Sequence, residues 1–272
     1  MSGHFTPAPT ARLVDAAGAV HPLTPPEAPQ SEAELLRAAL AAAPDATFCL
    51  APPELHLGPA QSPPAFETLT GGTTGAAKRI RRTQQSWIAS FGVNAAAWGI
   101  GPGSEVAALG SLTYSLTLYA ALEALHRGAG FHLLTGLRPD RQQARLAARG
   151  VSLLWATPAQ LRLLSGPPAP SVARVLIGGG ALDAATESHT RALFPAAELL
   201  PFYGAAETSF ITLGGQPYPG VEIEIRAADA DGTGAVWVRS PYLFDGYASA
   251  PDPHRDARGV ATAAERGRPL PH

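Results

Sequence analysis

Apolar residues recur at two spacings along the chain, and the alternation between the spacings lays out its elements. Over residues 31–43, Leu35, Leu36, Ala39 and Leu40 share one helical face, Ser31 can cap the first turn, and Glu34 stands at the capping-box position. The apolar run 46–51 reads as a short buried strand, and the Pro-rich stretch 52–64 as a surface connection. Residues 66–70 have strand character and run into a Gly/Thr-rich loop. Residues 84–99 predict a helix that turns Trp87, Ile88, Phe91 and Ala95 inward.

Strands are then expected at 106–109, 130–134, 151–156, 173–177 and 198–203. Helices are expected between them at 116–125, 140–149, 158–164 and 184–193. Regular exchange of strand and helix at this length predicts an α/β fold, with parallel-sheet layers and helices on both faces. Near Gly214 the pattern changes. Val221 to Arg226 alternates strictly, Asp229-Ala230-Asp231-Gly232 supplies a turn, and Gly234 to Val238 gives the partner strand, a small β-rich subdomain. The tail from Pro251 is polar, Arg-rich and poor in apolar residues, and no further element is expected there. The expected organisation is thus a core over 1–213, a β-rich part over 214–250 and a polar tail over 251–272.

Composition narrows the class. Hydrophobic residues make up 46% and charged residues 15%, enough apolar material for a sizeable core. With a net charge of −2, the one basic cluster is Lys78-Arg79-Ile80-Arg81-Arg82. It is too short for a nucleic-acid surface, and a phosphate-binding role for part of it fits better. Cys49 is the single cysteine and sits in an apolar run, so it reads as a small buried hydrophobe, and a reducing cytoplasm is the expected compartment. The first residues lack the basic start and apolar stretch of a signal peptide. No run of about 18 apolar residues occurs, which excludes a spanning helix. The eight histidines are dispersed without metal-ligand spacing, and no Gly-x-Ser-x-Gly elbow supports a hydrolase.

The strongest chemical signal is Thr70-Gly71-Gly72-Thr73-Thr74-Gly75-Ala76-Ala77-Lys78. Glycines let backbone amides approach phosphate oxygens, the hydroxyls add donors, and lysine adds charge. A Walker loop would need Lys directly after the last Gly, and two alanines intervene. A ligand-free Gly/Thr turn is the bland alternative. Against it, Lys78 is the only lysine in a chain that otherwise uses arginine.

Here the sequence resembles the adenylate-forming superfamily: acyl-CoA synthetases, aryl-CoA ligases, peptide-synthetase adenylation domains and luciferases. Their phosphate loop reads Thr-Ser-Gly-Thr-Thr-Gly-x-Pro-Lys, with Gly71 here for Ser and Ala77 for Pro. Four further blocks follow in the family's order. They are Gly178-Gly179-Gly180-Ala181-Leu182, Tyr203-Gly204-Ala205-Ala206-Glu207, Gly215-Gln216-Pro217-Tyr218-Pro219-Gly220, and Gly234 to Pro241 with Gly246-Tyr247. The resemblance implies a shortened acyl-CoA synthetase-like large domain and an ATP- and Mg²⁺-dependent ligase. It would activate a carboxylic acid as its acyl-adenylate, with CoA or the phosphopantetheine of an acyl carrier protein as acceptor.

By position, the resemblance assigns nucleotide binding to Thr70, Gly71, Gly72, Thr73, Thr74, Gly75, Lys78, Gly179, Gly180, Ala181, Tyr203, Gly204, Ala205 and Glu265. Tyr203 would stack on adenine and Glu265 would reach the ribose. Lys78 and Glu207 would be catalytic, with Glu207 holding Mg²⁺. Tyr114, Ser115 and Trp155 would form the acyl pocket. Ordinary core or surface roles for Tyr203, Glu207, Tyr114, Ser115 and Trp155 stand beside these.

Departures from the pattern matter too. Ala206 stands where the family has Thr or Ser on the α-phosphate, a loss worth about 0.5–3 kcal/mol. The Thr-Gly-Asp ribose motif has become Ala263-Ala264-Glu265. The segment before the phosphate loop is short, and the mobile C-terminal domain with its lysine is expected to be missing or supplied by a separate chain. A second reading is therefore a degenerate, non-catalytic nucleotide- or acyl-binding member acting with a partner.

Overall fold

A computed structural model describes residues 3–69, 78–248, 256 and 260–267, without the side chains of 263–267. Its largest layer is a nine-stranded sheet. The strands Glu198–Ala205, Arg174–Ile177, Leu153–Ala156, Glu105–Ala108, Gly130–Leu133 and Arg12–Val14 lie side by side in that order, all parallel. Ser209–Leu213 and Gln216–Pro217 extend one edge and Val20–His21 the other, each antiparallel. The short terminal strands carry too few residues for alternation to register, so the sequence pattern does not announce them.

Period-two alternation sends each central strand's side chains to two separate cores. Val106, Ala108, Leu153, Trp155 and Leu176 face one; Ala107, Leu154, Ala156, Val175 and Ile177 face the other. The second core is covered by the helices Pro139–Ala148, Pro158–Leu163 and Ala184–Leu193, through Leu146, Leu161 and Leu193. Helices Gln84–Trp98 and Ser115–Arg127 cover the first, pack on each other, and separate the large sheet from a second one. The expected α/β layering with helices on both faces is what the chain forms.

The second sheet is five-stranded and mostly antiparallel, in the order Gly246–Tyr247, Arg79–Thr83, Ala65–Leu69, Thr47–Ala51, Glu54–Gly58. The Pro-rich stretch read as a surface connection therefore contains an edge strand, Glu54–Gly58. Pro52 and Pro53 occupy the turn before it, where a missing N–H does no harm to the ladder. Helix Glu32–Ala42 packs on this sheet, and its N-terminus carries the expected capping box: the Glu34 amide donates to Ser31 Oγ and the Ser31 amide to the Glu34 carboxylate.

A third sheet joins Glu222–Arg226, Gly234–Arg239 and Ala261–Gly267, all antiparallel. The hairpin at 222–239 follows from its alternation. The third strand lies in the polar tail, where no element was expected; backbone pairing with 234–239 recruits a segment that lacks an apolar pattern of its own.

Candidate active site

A cavity of about 160 Å³ opens at the C-terminal ends of the parallel strands Leu153–Ala156, Arg174–Ile177 and Glu198–Ala205, the end at which ligands bind in open α/β sheets. Ser115, Trp155, Gly179, Gly204 and Ala205 line it, as do Trp87, Tyr119, Phe202 and Phe210. Two glycines shape the rim. A Cβ on Gly178 would strike the Phe202 ring, and one on Gly204 would strike the Ser209 carbonyl oxygen. Gly204 lies at a bulge where the pairing between 198–205 and 209–213 slips, and Ser209 closes the turn with a φ of 57°. Ala206 and Glu207 are carried on this tight reversal.

An arginine locks the turn from behind. Arg82 is fully buried; it donates to the Ala206 carbonyl at 2.7 Å, and to the Ser209 hydroxyl and the Tyr242 carbonyl. The Phe244 amide donates to the Glu207 carbonyl at 2.9 Å. At the carboxyl end of Glu207, the Tyr247 hydroxyl donates at 2.9 Å, and Lys78 Nζ lies 5.2 Å from the centre of the same ring. One tyrosine thus links Lys78 to Glu207. Arg79 and Arg81 point to the other face of the sheet, where both pair with buried Glu67 at 2.7 and 2.9 Å.

Sequence reasoning gave no role to Arg82 or Tyr247. A signal for Arg82 existed: it shares a strand face with Ile80, so the alternation directs it inward. Tyr247 lies in the motif block ending at Gly246-Tyr247, but nothing local signalled its pairing with Glu207, which is 40 residues distant.

The residues assigned in advance divide as follows. Thr70, Gly71, Gly72, Thr73, Thr74 and Gly75 lie outside the described residues; the strands on either side of them pair, with Leu69 opposite Arg79. Gly179 lines the cavity with φ 79°, whereas Gly180 and Ala181 are exposed and outside its lining. Tyr203 is half-buried, packs against the first core and is not part of the lining. Tyr114, expected in the acyl pocket, is 54% exposed and outside the lining. It is the N-cap of its helix in extended conformation, and the next residue, Ser115, turns into the cavity and bonds Thr68 Oγ1 at 2.9 Å. Glu265 lies in the strand Ala261–Gly267. Cys49 is buried, and among the described residues no three His, Cys, Asp or Glu side chains cluster to hold a metal.

Behind the cavity wall lies a buried polar network between the two central helices. The Tyr119 hydroxyl pairs with Ser90 Oγ at 2.7 Å and accepts from Asn94 Nδ2 at 3.0 Å. Asn94 Nδ2 also donates to the Glu123 carboxyl at 2.7 Å, and the Tyr218 hydroxyl donates to Asn94 Oδ1 at 2.5 Å. Burial dominates at Glu123 and pushes its pKa up to about 8; burial and the neighbouring carboxyl push the Tyr119 hydroxyl well up.

A parallel sheet with helices on both faces, a second sheet in which the strands on either side of the Gly/Thr segment pair, and a cavity at the strand ends match the large-domain architecture of adenylate-forming enzymes. The chain belongs to the AMP-binding enzyme family, whose model matches residues 12–248. It is 28% identical over 211 residues to an uncharacterized acyl-CoA ligase of Bacillus subtilis, covering 70% of this chain and 44% of the relative. It is 31% identical over 194 residues to a putative long chain fatty acid-CoA ligase of Staphylococcus aureus, covering 66% and 42%. An o-succinylbenzoate CoA synthetase from Bacillus subtilis has the same fold, with a TM-score of 0.65 at 19% identity over 75% of this chain and 46% of that one. The chain spans less than half the length of the curated relatives it matches. Among the described residues no helix is long and apolar enough to cross a membrane.

Proposed function

We propose that the chain binds ATP with Mg²⁺ and a carboxylic acid, and joins them as an acyl-adenylate that a CoA or carrier-protein thiol then receives. The observation that carries this reading is the Lys78–Tyr247–Glu207 relay beside a cavity whose rim is Gly204, Ala205 and Ala206. A carboxylate is a poor electrophile, and transfer of AMP to it supplies a good leaving group. Such transfer needs phosphate charge neutralised next to the acid. Within the basic cluster, Arg79 and Arg81 are engaged by Glu67, and Arg82 by carbonyls and a hydroxyl. Lys78, the only lysine and the residue that ends the Gly/Thr motif, is the member we assign to the phosphates, with Thr70 to Gly75 supplying amides.

Mg²⁺ takes oxygen ligands and is held by one or two carboxylates together with substrate phosphates, so a single Glu207 carboxylate fits the ion. The ion would neutralise charge between acid and phosphate. Tyr247 orients that carboxylate through its hydroxyl. The names carried by the relatives, acyl-CoA ligase and fatty acid-CoA ligase, agree with the reaction class.

A second reading, a nucleotide- or acyl-binding member that depends on a partner chain for chemistry, draws on Ala206. The nearby Thr208 hydroxyl does not replace the missing one: Thr208 is fully buried, and its Oγ1 accepts from the Ala205 amide at 3.3 Å. ATP–pyrophosphate exchange over a panel of carboxylic acids separates the two. Exchange lost in Lys78→Ala and Glu207→Ala supports adenylation; ATP binding that depends on Lys78 without any exchange supports the second reading.

A further inference from the structure

We propose that the acid received by this cavity is a small aromatic carboxylic acid and not a long unbranched alkyl acid, an inference that rests on the adenylation reading for the cavity's role. Its volume, about 160 Å³, is close to the roughly 150 Å³ at which an apolar protein cavity admits a benzene ring. Its wall is built of rings. Tyr119 lies 5.3 Å from Trp155 and 5.4 Å from Phe210 between centroids, and Phe202 lies 4.9 Å from Phe210, all at steep interplanar angles. Rings so tilted present both faces and edges inward, and a further ring can meet them edge-to-face or offset.

Apart from the Trp155 indole N–H, which has no partner, the polar side chains of the lining are already engaged. Ser115 bonds Thr68, and the Ser209 hydroxyl accepts from Arg82 and from Trp87 Nε1. Among the described residues no charged side chain lines the cavity, so the body of the acid is uncharged and its carboxylate belongs at the rim, toward Ala206 and Glu207.

The floor is what excludes a long chain. Trp155, Phe210 and Tyr119 are 1%, 3% and 5% exposed and pack on one another at 5.3–6.1 Å between centroids. Tyr119 cannot swing aside cheaply, because its hydroxyl is held by Ser90 and Asn94 and release would strand buried polar groups. A chain of ten or more carbons would have to break that network to enter.

The test is equilibrium binding of benzoate, phenylacetate, decanoate and palmitate without ATP, read by calorimetry and tryptophan fluorescence, with ATP–pyrophosphate exchange run in parallel on the same acids. The expected result is at least tenfold tighter binding of an aromatic acid than of decanoate or palmitate. Leu116→Phe, which narrows the cavity from the side, should weaken the aromatic acid at least tenfold. Phe210→Ala, which opens the floor, should narrow the gap to decanoate, provided its circular dichroism and melting match the wild type; Leu116→Phe carries the test if it does not fold. Tighter binding of decanoate or palmitate, or binding of none of the four, overturns the inference. Aromatic binding without exchange keeps it and refutes the adenylation reading, whereas exchange confined to long-chain acids does the reverse.

Discussion

Replacing Glu123 by Gln should change how stability depends on pH. Glu123 is fully buried, with Asn94 and Tyr119 as its hydrogen-bonding neighbours, and its pKa is pushed up from 4.5 to about 8. The folded state therefore holds the carboxyl proton more tightly than the unfolded chain does. Its contribution is fully present below about pH 4.5, declines as the unfolded chain ionises, and is lost once pH passes about 8. At 1.36 kcal/mol per pH unit, that interval amounts to about 3–6 kcal/mol. A glutamine has no proton to lose. Urea unfolding at pH 5 and pH 8.5 should show the wild type losing about 3–6 kcal/mol more than Glu123→Gln across that range. Every other titrating group is common to both proteins and cancels in the difference. Parallel pH profiles would refute the reasoning, and would mean that Glu123 is ionised in the folded protein at neutral pH.

Further substitutions probe the site itself. Arg82→Met leaves the Ala206 and Tyr242 carbonyls without their donor and should cost about 2–4 kcal/mol, read as a lower melting temperature together with lost exchange activity. Tyr247→Phe removes one hydrogen bond to the Glu207 carboxylate and should cost about 1 kcal/mol or less in stability; raised Mg²⁺ demand in the exchange assay is its functional signature. Gly204→Ala drives a methyl into the Ser209 carbonyl and should destabilise by about 1–3 kcal/mol or more, seen in denaturant titration. Trp155→Phe should be far milder than Trp155→Ala, which empties a fully buried site at about 3–5 kcal/mol, because the indole N–H has no hydrogen-bond partner to lose.

What the sequence made legible follows from how locally each feature is encoded. The central strands and their helices carry period-two and 3.6-residue patterns within single segments, and the Ser31–Glu34 cap is complete within four residues. The strands that escaped notice are the ones whose partners supply the reason for their existence. Glu54–Gly58 alternates weakly and is mostly exposed, and Ala261–Gly267 pairs with a strand more than twenty residues earlier. The site shows the same division. Ser115, Trp155, Gly179, Gly204 and Ala205, all singled out in the sequence, line one cavity. Tyr114 differs by a single residue, because a helix N-cap points away from the face its successor occupies. Arg82 and Tyr247 depend on contacts across 160 and 40 residues, which no local pattern encodes.

The bond from Arg82 to the Tyr242 carbonyl, and the pairing of Gly246 with Arg81, also set a timetable. At about 5–20 residues per second, the ribosome takes roughly 8–32 s to travel the 160 residues separating Arg82 from Tyr242. Throughout that interval the strand bearing Arg82 has an open edge, and the guanidinium lacks its Tyr242 acceptor. The nascent chain thus carries an unpaired sheet edge until its last sheet partners emerge. A message cut or stalled before codon 242 yields a product that cannot close its own site, so full-length translation acts as the checkpoint for a functional one.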